Sequence, residues 1–203
     1  FRAAGFGWGL FERTWTMRGF TNSLMDAVVE TSFYEELLDR VTEMHLRFIE
    51  VSCQLPVDGI MFSDDWGDQR GVILGPERWR SLLKPRLAKL YEACHRAGKT
   101  TLTHCCGNVS EILPDLIEIG LDVLQSLQPE AMNPYDLKKK WGDKITLWGG
   151  LGSQSVIPFG TPQQIHSEVR RLCEEMSPRG GYILGPAKPM QVETPVENAV
   201  AVL

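Results

Sequence analysis

Two side chains that can ligate a metal, His104 and Cys106, stand two positions apart at the end of a short apolar run, residues 100–103. On an extended segment, residues i and i+2 point to the same side, so Cys105 points to the other. An imidazole and a thiolate on one side suit Zn²⁺, which is four-coordinate and accepts nitrogen and sulfur ligands. The spacing makes His104 and Cys106 candidate metal ligands, although two ligands by themselves do not make a metal site. The alternative is a buried cysteine that packs as a small hydrophobe beside a hydrogen-bonded histidine.

A pair of carboxylates, Asp64 and Asp65, follows another apolar run at residues 57–63. Strand alternation directs one of the two toward a pocket and the other toward the rim or the next turn. A carboxylate at such a place can act as an acid, a base, a metal ligand or a partner for arginine. We expect Asp64 and Asp65 to be catalytic, and the alternative is that they cap the loop that follows.

A third group of polar and aromatic residues also lies near the ends of apolar runs. Arg13 either binds a substrate carboxylate with both guanidinium nitrogens or pairs with Glu12 at the surface. Tryptophans at strand ends usually pack in the core, but several together can line a flat cavity that accepts a ring. The residues that we expect to bind substrate are Arg13, Trp66, Gln128, Glu130 and Trp148.

The elements that would position these side chains alternate regularly between strand and helix. Such alternation predicts βαβ units, a parallel sheet and an α/β fold. In a β/α barrel the carboxyl ends of the strands converge on one face, which holds the active site. Strands are predicted over residues 1–10, 57–63, 100–103, 121–127, 145–148 and 182–184, which gives about six β/α units.

Helix starts and interruptions can also be predicted from local sequence signals. A long helix is predicted over residues 76–97, with a kink at Pro85. The capping sequences are Ser32 with Glu35, Asn108 with Glu111, Asn133 with Pro134, Thr161 with Gln164, and Thr194 with Glu197.

Composition excludes several classes of protein. The chain has 203 residues, of which 43% are hydrophobic and 23% charged, which suits a single globular domain. A formal charge of -5 lacks the basic footprint of a nucleic-acid binder, and we interpret the basic run at residues 138–140 as a solvated helix end. No apolar run reaches the length of a membrane span. Five cysteines without framework spacing favour a reducing, cytoplasmic location over a disulfide scaffold.

Five segments together resemble the uroporphyrinogen decarboxylase superfamily. They are GIMFSDDWG at 59–67, HCCGN at 104–108, GGL at 149–151, GGYILGP at 180–186 and TPVEN at 194–198. The superfamily includes the decarboxylase of haem biosynthesis and zinc-dependent methyltransferases that act between corrinoids and thiols such as coenzyme M. The resemblance implies a (β/α)8 TIM barrel, of which residues 1–203 would form one domain made of the C-terminal six units, truncated at both ends.

Lys188 departs from the pattern of both branches. In the methyltransferase-like members, a His-x-Cys pair and a distant Cys hold the metal, and His104 and Cys106 match the pair. The distant Cys, or a His in the decarboxylase, would fall near Lys188. The third ligand could then come from Asp64, Asp65 or Glu130. Otherwise Lys188, which we expect to be catalytic, replaces the metal as the local positive charge.

The resemblance favours the methyltransferase-like branch, with zinc and a corrinoid as cofactors. Family decarboxylases carry an Asp and two Arg before the Gly-rich strand, and this chain offers no counterpart for those three residues. Family decarboxylases also do not normally have a Cys at the position of Cys106. The expected substrate is a small molecule or a corrinoid, which a corrinoid protein would present. The alternatives are decarboxylation of tetrapyrrole acetate side chains and non-catalytic binding of a corrinoid or porphyrin.

With six of the eight β/α units of a barrel, the sheet would have an unpaired edge beside the Gly-rich first strand. Unpaired edges of this kind are normally covered. We therefore expect a further N-terminal segment or a partner chain, as in a homodimer, to cover this edge.

Overall fold

The computed structural model describes residues 1–203, except for the side chain of Phe6. Over that range, one sheet of six strands runs in chain order, and each strand pairs in parallel with the next. The strands are β1 (Ala3–Phe6), β2 (Gly59–Ser63), β3 (Thr100–His104), β4 (Val123–Leu127), β5 (Thr146–Leu151) and β6 (Tyr182–Pro186). The predicted α/β fold is confirmed, and its order of strands is that of six consecutive units of a β/α barrel.

Helices connect every pair of neighbouring strands. Those before β3 are α1 (Leu10–Arg18), α2 (Phe20–Val29), α3 (Thr31–Ser52) and α4 (Pro76–Arg78), followed by a π-helical turn (Trp79–Leu83) and α5 (Lys84–Arg96). Those after β3 are α6 (Leu113–Glu118), α7 (Pro134–Trp141), α8 (Val156–Phe159), α9 (Pro162–Met176) and α10 (Val196–Val202). Within the described residues, no helix combines the length and the apolar character needed to cross a bilayer.

One face of the sheet is packed against the helices. Phe62 of β2 meets the ring of Tyr91 on α5 edge to face, with 5.3 Å between ring centroids. The hydroxyl of Tyr91 also lies 2.7 Å from Oγ1 of Thr103 on β3. Because side chains alternate along a strand, the neighbours Ser63 and His104 face the opposite side of the sheet. This packing decides which side chains reach the inner face.

Two of the predicted caps are confirmed. The Asn133 side chain accepts hydrogen bonds from the backbone N–H groups of Tyr135 and Asp136, and Pro134 opens α7. Thr161 and Gln164 form a complete capping box at the start of α9.

The three other predicted caps are wrong. Helix α3 begins at Thr31, before Ser32, without a side-chain cap. The Asn108 side chain accepts from the backbone of Ser110 in a local turn, and α6 begins only at Leu113. Helix α10 has Pro195 at its N-cap, also without a side-chain cap, so Thr194 has no such role.

The expected kink at Pro85 takes the form of the π-helical turn that precedes it. A proline inside a helix lacks an N–H group and clashes with the preceding turn. The helix widens over Trp79–Leu83, and Pro85 then stands in the first turn of α5.

The basic run on α7 is only partly solvated, which corrects the sequence interpretation. Lys139 and Lys140 are exposed, but Lys138 is 8% exposed. The Lys138 ammonium donates to the carbonyl of Gly180, and its stem passes close to Gly142. The amphipathic stem lets this lysine close the space between α7 and the loop before β6.

Candidate active site

A row of side chains crosses one face of the sheet, from the last residues of β2 and β3 to the middle of β4 and β5. Ser63 is in register with His104, His104 with Gln125, and Gln125 with Trp148. The carboxyl ends of the strands are the face on which β/α barrels build their active sites. The predicted residues His104 and Trp148 therefore lie on the same wall of one site.

Three donor atoms come together at the ends of β2 and β3. His104 Nε2 lies 3.1 Å from Cys106 Sγ and 3.7 Å from Asp65 Oδ1. One ligand atom from each of the three residues lies within 4.8 Å of the others. Asp65 Oδ1 also accepts the backbone N–H of Cys106 at 2.8 Å, which ties the two loops together. We call Asp65, His104 and Cys106 the donor cluster.

The donor cluster fits a zinc ion. Tetrahedral zinc with bonds of about 2.0–2.3 Å holds its ligand atoms roughly 3.5 Å apart. The distances of 3.1 and 3.7 Å from His104 Nε2 to its two neighbours fall on either side of that value. Nitrogen, sulfur and carboxylate oxygen are also the atoms that zinc prefers, and three protein ligands leave a fourth position open.

Gln125 orients the imidazole of His104. Its side-chain Oε1 accepts a hydrogen bond from His104 Nδ1. With Nδ1 as the donor, Nε2 keeps its lone pair and points toward Cys106 and Asp65. Partners of this kind fix the tautomer and the ring direction of metal-binding histidines. Gln125 could not be predicted as a site residue from the sequence, because its role depends on the register of β3 with β4.

Lys188 reaches the same place from the far side of the sheet. Its backbone N–H donates to Ser153 Oγ at 2.8 Å, and its carbonyl accepts from the same hydroxyl at 3.2 Å. Its positive charge is near enough to Cys106 to act on the pKa of that thiol. Burial and the charge of Asp65 raise the pKa of Cys106 to about 11, although Lys188 lowers it. Without a metal, this thiol is therefore protonated at neutral pH.

Asp64 points to the opposite side from Asp65. It is 1% exposed, and its carboxylate accepts the backbone N–H groups of Phe11 at 3.0 Å and Glu12 at 2.8 Å. It also accepts Trp66 Nε1 at 2.7 Å. Burial raises its pKa to about 6, and the three hydrogen bonds oppose that rise. These contacts make Asp64 the cap of α1, and its catalytic role stays a prediction.

Glu12 is a site residue that was not predicted as one, since the sequence named it only as an alternative surface partner of Arg13. Burial is the main reason that its pKa is raised to about 7, and the charges of Asp64 and Asp65 add to the effect. The backbone N–H of Asp65 donates to it and opposes the rise. No local signal identifies Glu12, because α1 is capped by a residue from the end of β2.

Arg13 lies on the same helix but contacts the loop before it. Its guanidinium stands 5.4 Å from the ring of Trp8, and Nη2 donates to the carbonyl of Gly7 at 3.4 Å. Its Nε atom is buried without a hydrogen-bond partner among the described residues. Within the part of the chain that the structure describes, Arg13 and Glu12 form no ion pair.

Three of the expected substrate-binding residues support loops. Trp66 is fully buried and packs edge to face on Trp79, with 5.5 Å between ring centroids. Gln128 is buried, and its Oε1 accepts the backbone N–H of Gly107 at 3.2 Å. Glu130 Oε1 accepts Ser155 Oγ at 2.6 Å and a backbone N–H of the same loop at 3.0 Å. A substrate contact for any of these three stays a prediction.

Two glycines allow the loops of the donor cluster to meet. Gly107 has a positive φ of 78°, and a Cβ there would stand 2.4 Å from the backbone carbon of Gly67. Next to it, the backbone N–H of Asn108 donates to the carbonyl of Asp68 at 2.7 Å. A side chain at either glycine would separate the loop of Asp65 from the loop of Cys106.

Known proteins share both the sequence pattern and the fold. Methylcobamide:CoM methyltransferase MtaA of Methanosarcina barkeri is 26% identical over 178 residues, which cover 87% of this chain and 49% of that protein. A uroporphyrinogen decarboxylase of Geobacter sulfurreducens is 23% identical over 167 residues, which cover 82% of this chain and 46% of that protein. The chain thus spans about half the length of the curated relatives it matches.

A solved structure supports the assignment of the fold. A methyltransferase from Methanosarcina mazei superposes with a TM-score of 0.80 at 23% identity, over 98% of this chain and 56% of that one. The family model described as uroporphyrinogen decarboxylase (URO-D) matches residues 5–203. The chain therefore belongs to the uroporphyrinogen decarboxylase family.

Proposed function

We propose that the chain carries the active site of a zinc-assisted methyltransferase, which moves a methyl group between a corrinoid and a thiol or a similar acceptor. The observation that carries the proposal is the donor cluster, in which Asp65, His104 and Cys106 each turn a ligand atom toward one point. The similarity to a methylcobamide:CoM methyltransferase supports the same reaction class.

In this proposal Asp65, His104 and Cys106 hold the zinc. When bound, zinc would act as a Lewis acid that lowers the pKa of an acceptor thiol, so that the thiol attacks as a thiolate. Gln125 keeps the imidazole of His104 turned toward the cluster. The hydrogen bond from the backbone of Cys106 to Asp65 holds the two loops at a fixed separation.

Glu12 supplies the proton transfer in this proposal. With a pKa of about 7, its carboxyl exchanges a proton readily at neutral pH. It lies beside Asp65, so it can take the proton that an acceptor thiol loses on binding. Trp148 is half-buried on the inner face and offers a flat surface to a planar ring.

The corrinoid is the proposed second substrate, presented by a corrinoid protein.

The five cysteines form no disulfide among the described residues, which is consistent with the proposed reducing, cytoplasmic location.

The experiment measures zinc content and methyl transfer in the same preparation. Protein purified without chelators should hold one zinc per chain and transfer methyl groups from methylcobalamin to a thiol. Cys106→Ala and His104→Ala should lose both the metal and the transfer. Full activity in metal-free protein would exclude the proposal. Tight cobalamin binding without turnover of any methyl donor would instead favour a non-catalytic binder.

A second candidate is decarboxylation of acetate side chains on a tetrapyrrole. Glu12 can donate a proton at neutral pH, and the cations Arg13 and Lys188 could hold an acidic substrate. A family decarboxylase is also among the similar proteins. Incubation with uroporphyrinogen, followed by chromatography of the products, distinguishes the two reactions, because the decarboxylation needs no metal.

A further inference from the structure

We infer that the exposed side of α2 is an interface with a second copy of this chain. The inference goes beyond the proposed function and does not depend on it. It rests on a helix that turns polar side chains inward and apolar side chains outward.

Helix α2 is polar on its buried side. Ser23 is fully buried, and its Oγ lies 2.7 Å from Oγ1 of Thr14 on α1. Asp26 is 7% exposed, and its carboxylate accepts a hydrogen bond from Arg18 Nε at 2.7 Å. The helix therefore packs on its own chain partly through polar contacts, whereas a surface helix ordinarily turns its apolar stripe inward.

The opposite side of α2 is apolar and exposed. Phe20 and Val28 lie about two turns apart on one side of the helix, and Met25 and Val29 lie on the adjoining side. Single exposed apolar residues are common, but a contiguous group of them marks an interaction site. We call this surface, with one residue from each flanking helix, the α2 face. Its six side chains are each 45–65% exposed, and they are Met17, Phe20, Met25, Val28, Val29 and Phe33.

The size and the composition of the α2 face fit a second copy of the chain. The face exposes roughly 600 Å² of apolar surface, so two copies would bury roughly 1,200 Å², the lower end of the range for stable interfaces. The structure describes α2 in full, and its one charged residue, Asp26, is buried, so the exposed side of the helix is uncharged. Interfaces between identical subunits are more apolar than those between different partners, and charged residues are depleted at their centre.

The charges at the two ends of α2 are complementary across a two-fold axis. An axis that crosses α2 near its middle sets the two copies of the helix antiparallel, so that the same residues meet from both sides. Arg18 precedes the helix, Glu30 follows it, and both are exposed. The Arg18 end of one copy then lies beside the Glu30 end of the other. Met25, in the middle of α2, lies close to the axis.

The first test is sedimentation of the purified protein over a range of micromolar concentrations. Met25→Lys and Val28→Lys each place a charge in the α2 face. Lysine is a good helix former, so neither change should disturb α2 within one chain. Val51→Lys changes a valine on α3 that is 62% exposed, and it serves as the matched control. Circular dichroism confirms that each variant is folded.

We expect the unmodified protein and Val51→Lys to sediment as a dimer. Met25→Lys and Val28→Lys should weaken the dimer by at least about 30-fold, because each would bury a charge without a partner at the centre of the interface. A dimer that both α2 variants leave intact would overturn the inference, since the contact would then lie elsewhere on the chain.

Cross-linking locates the contact independently. On mild oxidation, Met25→Cys should form a disulfide between two chains, whereas Val51→Cys should give no more cross-linked dimer than the unmodified protein with its exposed Cys173. A monomer at every concentration would also overturn the inference. In such a monomer, slow reaction of Met25→Cys with a maleimide would assign the α2 face to another segment of the polypeptide. Fast reaction would assign it to a different partner protein.

Discussion

The carboxylate of Asp64 and the backbone N–H of Glu12 are joined by a hydrogen bond of 2.8 Å across 52 positions of the chain. This contact fixes the start of α1 against the end of β2, and it places Glu12 beside Asp65. The neighbouring residues Asp64 and Asp65 thus have different tasks, since one positions a helix and the other belongs to the donor cluster.

Asp64→Ala should reduce the free energy of unfolding by about 2–4 kcal/mol, because it leaves three buried donors without an acceptor. Those donors are the backbone N–H groups of Phe11 and Glu12 and the Trp66 indole. Urea denaturation measures the change. Asp136→Ala removes an exposed carboxylate on α7 and should change stability by less than about 0.5 kcal/mol. Equal losses in the two variants would contradict the assigned role of Asp64.

Gln125→Met should weaken zinc binding by about 10- to 100-fold, because His104 loses the acceptor that orients its ring. The thioether is similar in length but accepts hydrogen bonds poorly. Chelator competition measures the affinity. Gln163→Met, at an exposed position on α9, should bind zinc as the unmodified protein does. Unchanged affinity in Gln125→Met would show that His104 is not oriented by this contact.

Gly107→Ala should destabilise the protein by about 2–4 kcal/mol and abolish zinc binding. The new Cβ would meet the backbone of Gly67, at a residue whose φ is 78°. Gly71→Ala is the matched control, since a Cβ there meets no atom within 4 Å. Thermal unfolding and zinc binding are measured for both variants. Normal zinc binding in Gly107→Ala would mean that the two loops tolerate separation.

His45 should make the stability of the protein depend on pH. It is 1% exposed, and burial lowers its pKa from 6.5 to about 4, with a further contribution from Arg13. Between pH 6.5 and pH 4, the unfolded chain therefore binds a proton at His45 that the folded protein does not bind. The contribution of His45 to the free energy of unfolding is complete above pH 6.5 and is lost as the pH falls toward 4. The loss attributable to His45 is roughly 3 kcal/mol.

The difference in unfolding free energy between the unmodified protein and His45→Leu isolates this effect from other groups. Glu12 and Asp64 have raised pKa values and contribute in the opposite direction, but they are present in both proteins. His166→Leu, at an exposed position, should leave the pH profile unchanged. A difference that is constant from pH 7 to pH 4 would contradict a buried neutral His45.

The strands and the residues at their ends could be predicted because both depend on local patterns. Apolar runs of strand length and the glycines after them are visible in the sequence, and so is the two-residue spacing of His104 and Cys106. The caps at Asn133 and Thr161 are confirmed for the same reason, since each cap bonds within its own helix.

Long-range contacts explain what could not be predicted. Helices α1 and α2 were not predicted from the sequence, and α1 begins at Leu10, the last residue of the predicted first strand. Its cap, Asp64, is distant in the chain and gives no local signal. Alternation alone could not decide which of Asp64 and Asp65 faces the donor cluster. Gln125 has no signal of its own, because its contact with His104 requires the register of β3 and β4.

The most direct test of the proposed metal site is anomalous diffraction at the zinc edge from crystals of the protein loaded with one equivalent of zinc. The account predicts one peak among Asp65, His104 and Cys106, with zinc–sulfur near 2.3 Å and zinc–nitrogen and zinc–oxygen near 2.0–2.2 Å. A zinc peak elsewhere, or none at these three residues, would contradict it.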